Sequence, residues 1–205
     1  MDKGKRTRDR ILDKAMCQAS KEGLDGLSIG ALASALSMSK AGLFAHFGSK
    51  EALQVAVLEH TAARYQERVV VPLEAISSNR KRLRVLLEAC LNWIDDPSFP
   101  GGCPIIRACF DLSGQKGPAR NVLVTKQRAF KKRLAEMFRE CDLAGADVEQ
   151  MVFEFRAITL AYQYSSRVLR DENARLRAMR TLDALLARIP QTETLLSTAS
   201  HSPQE

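Results

Sequence analysis

The densest run of chemically capable residues lies between Ser28 and Lys50. Ser39 stands directly before Lys40, Ala41 and Gly42, and Phe44, Ala45 and His46 follow within two helical turns. A lysine ammonium can donate to guanine O6 and N7, and a phenylalanine ring can pack on a sugar or a thymine methyl. Lys40 serves equally well as a phosphate contact, so both readings stand at this point. Phe44 also has a plain reading as core, and His46 one as an ordinary surface residue. Further on, Lys50 and the backbone N–H groups beside Ser49 suit a phosphate.

The elements that must position these groups are three short helices. Ser28 caps the second of them and Ser39 the third; Ala33 is small where two helices approach closely, and Ser37-Met38-Ser39 is the tight connection. That arrangement is a helix-turn-helix, with Lys40, Ala41 and Gly42 nearest the base edges and Phe44 and Ala45 one turn along. Leu43 and Phe47, four residues apart, face inward. Lys3, Lys5, Arg6, Arg8 and Arg10 crowd the first ten residues, where they can follow a phosphate backbone or form a solvated arm.

Composition limits the alternatives. The chain has 205 residues and is 45% hydrophobic, enough for a full core, and its formal net charge of +7 favours a polyanionic partner. No run of about 18 apolar residues occurs, and the basic start lacks the apolar stretch of a secretory signal. A soluble, cytoplasmic protein with no membrane partner is expected. Five cysteines without a CxxC pair predict reduced thiols, and His46, His60 and His201 are too scattered to propose a metal site. No Ser/His/Asp or paired-carboxylate pattern appears, so no enzyme and no cofactor is expected.

Apolar residues recur at helical spacing through most of the chain. Leu83, Leu86, Leu87, Cys90, Leu91 and Ile94 form one stripe, and others run through Phe130–Cys141, Val148–Tyr162 and Leu176–Ile189. The expectation is an all-α fold of about nine helices: near 6–22, 28–35, 39–46, 50–76, 80–95, 104–112, 118–141, 146–170 and 172–189. Residues 1–49 would form the helix-turn-helix head, 50–190 a larger helical body for ligand binding and dimerisation, and 191–205 a frayed tail.

From Ile11 to Leu53 the sequence resembles the tetracycline-repressor (TetR) family of bacterial regulators. The resemblance is plainest in Leu32-Ala33, in Ser39-Lys40-Ala41-Gly42-Leu43-Phe44-Ala45-His46-Phe47 and in Ser49-Lys50-Glu51-Ala52-Leu53. It implies a DNA-binding head of three helices, a long fourth helix leading into a variable ligand-binding body, and dimerisation through the last two long helices. It also implies phosphate contacts for His46 and Lys50, which join Ser28, Ser39, Lys40, Ala41, Gly42 and Phe44 as candidate DNA-binding residues. The chain departs from the family pattern at Ser37, where a turn glycine is usual, at Ala41-Gly42, which replaces the usual glycine-threonine order, and at Phe44, where a tyrosine is common.

In the body, Trp93, Phe99, Phe110 and Met137 are bulky residues near helix ends or breaks and are candidates to line a pocket, or to be core. Gly101-Gly102-Cys103-Pro104 puts Cys103 at the cap of a helix begun by Pro104, where the helix dipole would lower the thiol pKa. Cys103 is therefore either a pocket residue that senses electrophiles or oxidants, or a small residue at a turn.

The sequence thus predicts a repressor that binds a palindromic DNA operator as a homodimer through helices near 146–189. A small-molecule effector of unread identity would release it by changing the separation of two heads that must meet major grooves about 34 Å apart. An activator with the same DNA-binding mode, or a thiol sensor acting through Cys103, are the alternatives.

Overall fold

In a computed structural model, residues 3–190 are described, and the expected tail at 191–205 lies outside them. Among the described residues there are nine α-helices and no strands: α1 (Lys3–Glu22), α2 (Ile29–Ala35), α3 (Lys40–Phe47), α4 (Lys50–Tyr65), α5 (Asn79–Asp95), α6 (Pro104–Asp111), α7 (Pro118–Arg139), α8 (Gly145–Gln163) and α9 (Ala174–Ala187). Helix starts follow local chemistry. Ser28, Ser39, Ser49 and Ser78 each accept a hydrogen bond from the backbone N–H three residues on, and α6 and α7 begin on prolines, whose missing N–H costs nothing there.

Two expected long helices are not regular to their ends. Beyond Tyr65 the chain widens into a π-helical turn over Gln66–Val70 and then tightens into a 3-10 segment over Val71–Ala75. Pro72 has no N–H to continue the α ladder, so the hydrogen bonding must change around it. Helix α8 likewise widens over Tyr164–Val168, with Leu169 N–H donating to the Tyr164 carbonyl at 3.2 Å.

Two apolar cores run through the molecule. One joins α1–α3 to the first half of α4 through Leu53, Ala56, Val57 and Leu58, and takes Ala108 from α6, Leu112 just after it, and Ala119 and Leu123 from α7. The other holds α5, α7, α8 and α9 around Leu83, Leu87, Phe138, Phe155 and Leu182. The α5 stripe is buried throughout, as amphipathic spacing requires, and Phe138 meets Phe155 edge to face at 6.4 Å. Leu176 of the α9 stripe is exposed, and in its turn Ala174 and Ala178 face the core instead. Ile105, at the start of α6, packs against both cores.

Candidate functional site

Helix α3 is held as a rigid outward ridge. Its inner residue Leu43 is fully buried, Phe47 packs beside it, and Leu32 and Ala33 of α2 close the same core. The Ser39 hydroxyl accepts from Gly42 N–H at 3.0 Å, and Gly48 ends the helix at φ +75°. Between α2 and α3, Met38 N–H returns to the Ala33 carbonyl at 2.8 Å, which forces Ser37 into the left-handed region at φ +54°.

The outer face of α3 carries Lys40, Ala41, Phe44 and Ala45, all exposed, with Gly42 and His46 half-buried at its sides. Phe44 is 49% exposed, so it is not core. This face can donate through one ammonium and offers methyl and ring surface for the rest, a pattern suited to thymine methyls and sugars beside a single polar contact. The Lys40 stem lies over Gly30, where an added Cβ would come within 3.2 Å of Lys40 Cε. Ser28 is occupied as a cap, its hydroxyl accepting from Ala31 N–H at 3.3 Å. Lys50 is also engaged, donating to the Asp25 carbonyl at 2.5 Å, which ties α4 to the loop after α1.

Among the basic residues at the start, Arg8 has a role that sequence reasoning missed. Its guanidinium donates to the His46 carbonyl at 2.8 Å and lies 4.5 Å from the Phe47 ring centroid. It therefore fastens the end of α3 to α1. The spacing of Arg8 within a basic cluster gave no sign of this, because the contact spans 38 positions. Lys5, Arg6 and Arg10 remain exposed along α1.

In the body, a cavity of about 530 Å³ opens between α4, α5, α6, α7 and α8. Its apolar walls include Tyr65, Val70, Ile94, Ile106 and Phe130, together with Trp93 and Cys103; Lys126, Arg133, Arg156 and Glu59 supply the charge. The widened turn after α4 brings Gln66 and Val70 to this space. The remaining candidates fall elsewhere. Phe99 is wholly buried behind Trp93, with ring centroids 4.7 Å apart, Met137 is in the body core, and neither is a lining residue. Phe110, one turn beyond Ile106 near the end of α6, is 67% exposed and is not a lining residue.

Of the two readings of Cys103, its buried surroundings favour the small residue at a turn. Cys103 does cap α6, with the Trp93 indole N–H 3.3 Å from its sulfur and its own N–H donating to Gln163 Oε1 at 2.9 Å. Burial nevertheless pushes its thiol pKa up, outweighing the Ile106 and Ile105 amides that pull it down. Its neighbour Cys90 is pushed up by burial to about 12, and the Tyr65 hydroxyl sits 3.0 Å from its sulfur. Burial thus disfavours the thiolate, the nucleophilic form, at both sulfurs.

Sequence reasoning also missed Tyr65, Phe130 and Arg156. The available signal was Arg156 itself, a charge set four places after Val152 and directly after Phe155, at the edge of an apolar stripe.

The helix linking cavity and head is α6. Ile105 and Ile106 line the cavity, while Ala108 and Leu112 are built into the head core. Just before α6, Gly101 presses on α1 so closely that an added Cβ would lie 1.8 Å from the Ser20 carbonyl oxygen. Gln115, beyond the other end of α6, donates to the Asp25 carboxylate at 3.0 Å. The segment from Gly101 to Gln115 thus touches the cavity, the head core and the end of α1.

Comparison with known proteins agrees with this geometry. The model of bacterial regulatory proteins of the tetR family matches residues 11–57, and that of the tetracyclin repressor-like C-terminal domain matches residues 80–182, half of the chain. The chain is 29% identical over 135 residues to the HTH-type transcriptional repressor ComR of Escherichia coli (strain K12), covering 64% of this chain and 62% of that protein's length. A TetR transcriptional regulator from Chloroflexus aurantiacus superposes with a TM-score of 0.82 at 20% identity, over 92% of this chain and 98% of the other. AibR, solved with isovaleryl coenzyme A and operator DNA, superposes with a TM-score of 0.67 at 22% identity, over 88% and 96%. With a helix-turn-helix head matching one family model and the body matching the other, the chain belongs to the tetracycline-repressor family of bacterial transcriptional regulators.

Proposed function

We propose that this chain is a repressor that binds a palindromic operator as a homodimer and leaves it when a small molecule occupies the body cavity. The observation that carries this reading is the shared helix α6, whose Ile105 packs against both cores and whose neighbour Gly101 bears on α1. A ligand that moves the start of α6 has a solid path to the head, and packed cores respond to such shifts by switching rather than by bending. The name of the matched repressor ComR, and the solution of AibR with both a ligand and an operator, support repression and effector control.

A row of exposed apolar residues along α8 and the turn beyond it supports the homodimer. Phe153 is 69% exposed and Val168 68%, and Leu160 and Tyr164 lie between them at helical spacing. An isologous contact between two such faces buries the row and sets two α3 ridges in opposite orientation, as a palindrome demands.

On this reading Lys40 and Phe44 meet base edges and sugars, Ala41 and Gly42 approach the groove floor, and His46 and Lys50 stand at the phosphates. Lys50 must first release the Asp25 carbonyl. The test is titration of a labelled operator duplex and single-base variants of it with wild type and Lys40→Ala. Base reading predicts a loss of about 1 to 3 kcal/mol on the operator with relaxed selectivity at one position. An equal loss on every duplex would reduce Lys40 to a phosphate contact, and no loss would remove α3 from the interface.

A further inference from the structure

The cavity wall holds a cation that, among the described residues, forms no ion pair. Arg156 is half-buried in the wall, stacked over the Phe130 ring at 5.3 Å, and among the described residues its side chain donates one hydrogen bond, to Gln127 Oε1 at 2.9 Å. No carboxylate of the described residues pairs with it, although Arg133, in the same wall, reaches Glu74 at 3.8 Å. The nearby acids do not serve: Tyr65, Cys90 and Cys103 are held neutral by burial. Glu59, the one carboxylate in the lining, is exposed, and the same lining carries Lys126 and Arg133 besides Arg156.

A guanidinium has five N–H donors in a planar fork that matches a carboxylate, sulfonate or phosphate. Taking such a charge partly out of water is unfavourable unless an anion meets it, and the rest of the wall is ring and aliphatic surface. We propose that the cavity selects amphipathic organic anions, with the acidic group on Arg156 and the hydrophobic body between Tyr65, Trp93 and Phe130. This deepens the reading of the cavity as the effector site and rests on it for any regulatory consequence, but the binding preference stands by itself.

The test uses a pair of probes with one body and different charge: the dye anilinonaphthalene sulfonate and its neutral parent phenylnaphthylamine. Trp93, the single tryptophan, lines the cavity, so energy transfer from it reports bound probe, and the Arg156 variants assign that probe to the cavity. The full-length protein should bind the sulfonate about tenfold or more tightly than the neutral parent. Arg156→Gln should abolish that preference while leaving the neutral probe's affinity unchanged, and Arg156→Lys should restore part of it; thermal melting checks that each variant is folded. Equal binding of the two probes by wild type, an undiminished preference in Arg156→Gln, or transfer from Trp93 to neither probe overturns the proposal. Adding the sulfonate to a complex with operator separates the two readings. Anion preference without operator release would contradict the effector reading and leave this one standing, whereas equal binding would do the reverse.

Discussion

Ser37 illustrates how one residue can carry strain that the motif around it requires. It sits at φ +54° because the turn between α2 and α3 must reverse within four residues, and a side chain there costs roughly 1 kcal/mol that glycine avoids. Ser37→Gly is therefore expected to raise stability by up to about 1 kcal/mol, read as a higher urea midpoint, with operator binding unchanged. Arg8 works in the opposite direction. Arg8→Ala removes a charged hydrogen bond and a cation–π contact from the end of α3, and should lower stability by about 1 to 2 kcal/mol and weaken operator binding. The buried thiols make a third prediction. With Cys90 raised from its ordinary 9.0 to about 12, its thiolate at neutral pH is scarcer by about a thousandfold, so maleimide at pH 7.5 should label Cys17 while sparing Cys90 and Cys103. The sign of the linkage follows: this thiol's contribution to stability is whole below pH 9.0 and is lost as pH rises toward about 12, because the unfolded chain ionises first.

At the scale of elements, α6 decides whether cavity and head act together. Its N-terminus is fixed to α8 through Gln163 and its C-terminal half is part of the head core. Gly101→Ala drives a methyl into the Ser20 carbonyl, and the expected result is a loss of about 1 to 3 kcal/mol in stability together with weaker coupling between cavity and operator. A melting temperature equal to wild type would show that α1 and the Gly101 turn are not in firm contact. The helices themselves were largely legible in the sequence. Periodicity, serine caps and the two N1 prolines locate eight of nine starts to within a residue or two, because those signals are local. The widened turns at Gln66–Val70 and Tyr164–Val168 were not, since they depend on how distant helices seat against each other.

The whole molecule was less legible than its parts. The helix-turn-helix could be read from Ser28 to Lys50 because its capping, small residues and turn are adjacent in sequence. The cavity could not, because Tyr65, Trp93, Phe130 and Arg156 come from four helices and each resembles an ordinary core or edge position. Bulk near helix ends pointed to Phe99, Phe110 and Met137 as well as to Trp93, yet which side of a helix faces a void is settled only by packing. The exposed row from Phe153 to Val168 belongs to this scale as well. Phe153→Glu combined with Val168→Asp should turn a dimer into a monomer, measured by light scattering during size exclusion, and should reduce operator affinity at least tenfold, since paired heads bind with an effective concentration that single heads lack. A wild-type protein that elutes as a monomer would leave the row without that role.

The central claim is that two copies of α3 read successive major grooves. It is tested most directly by incubating the purified protein with sheared genomic DNA at near-physiological salt and sequencing the retained fragments. The account predicts enrichment of a palindrome whose half-site centres lie about 10 base pairs or a multiple apart. Retention of fragments without any shared sequence would contradict it.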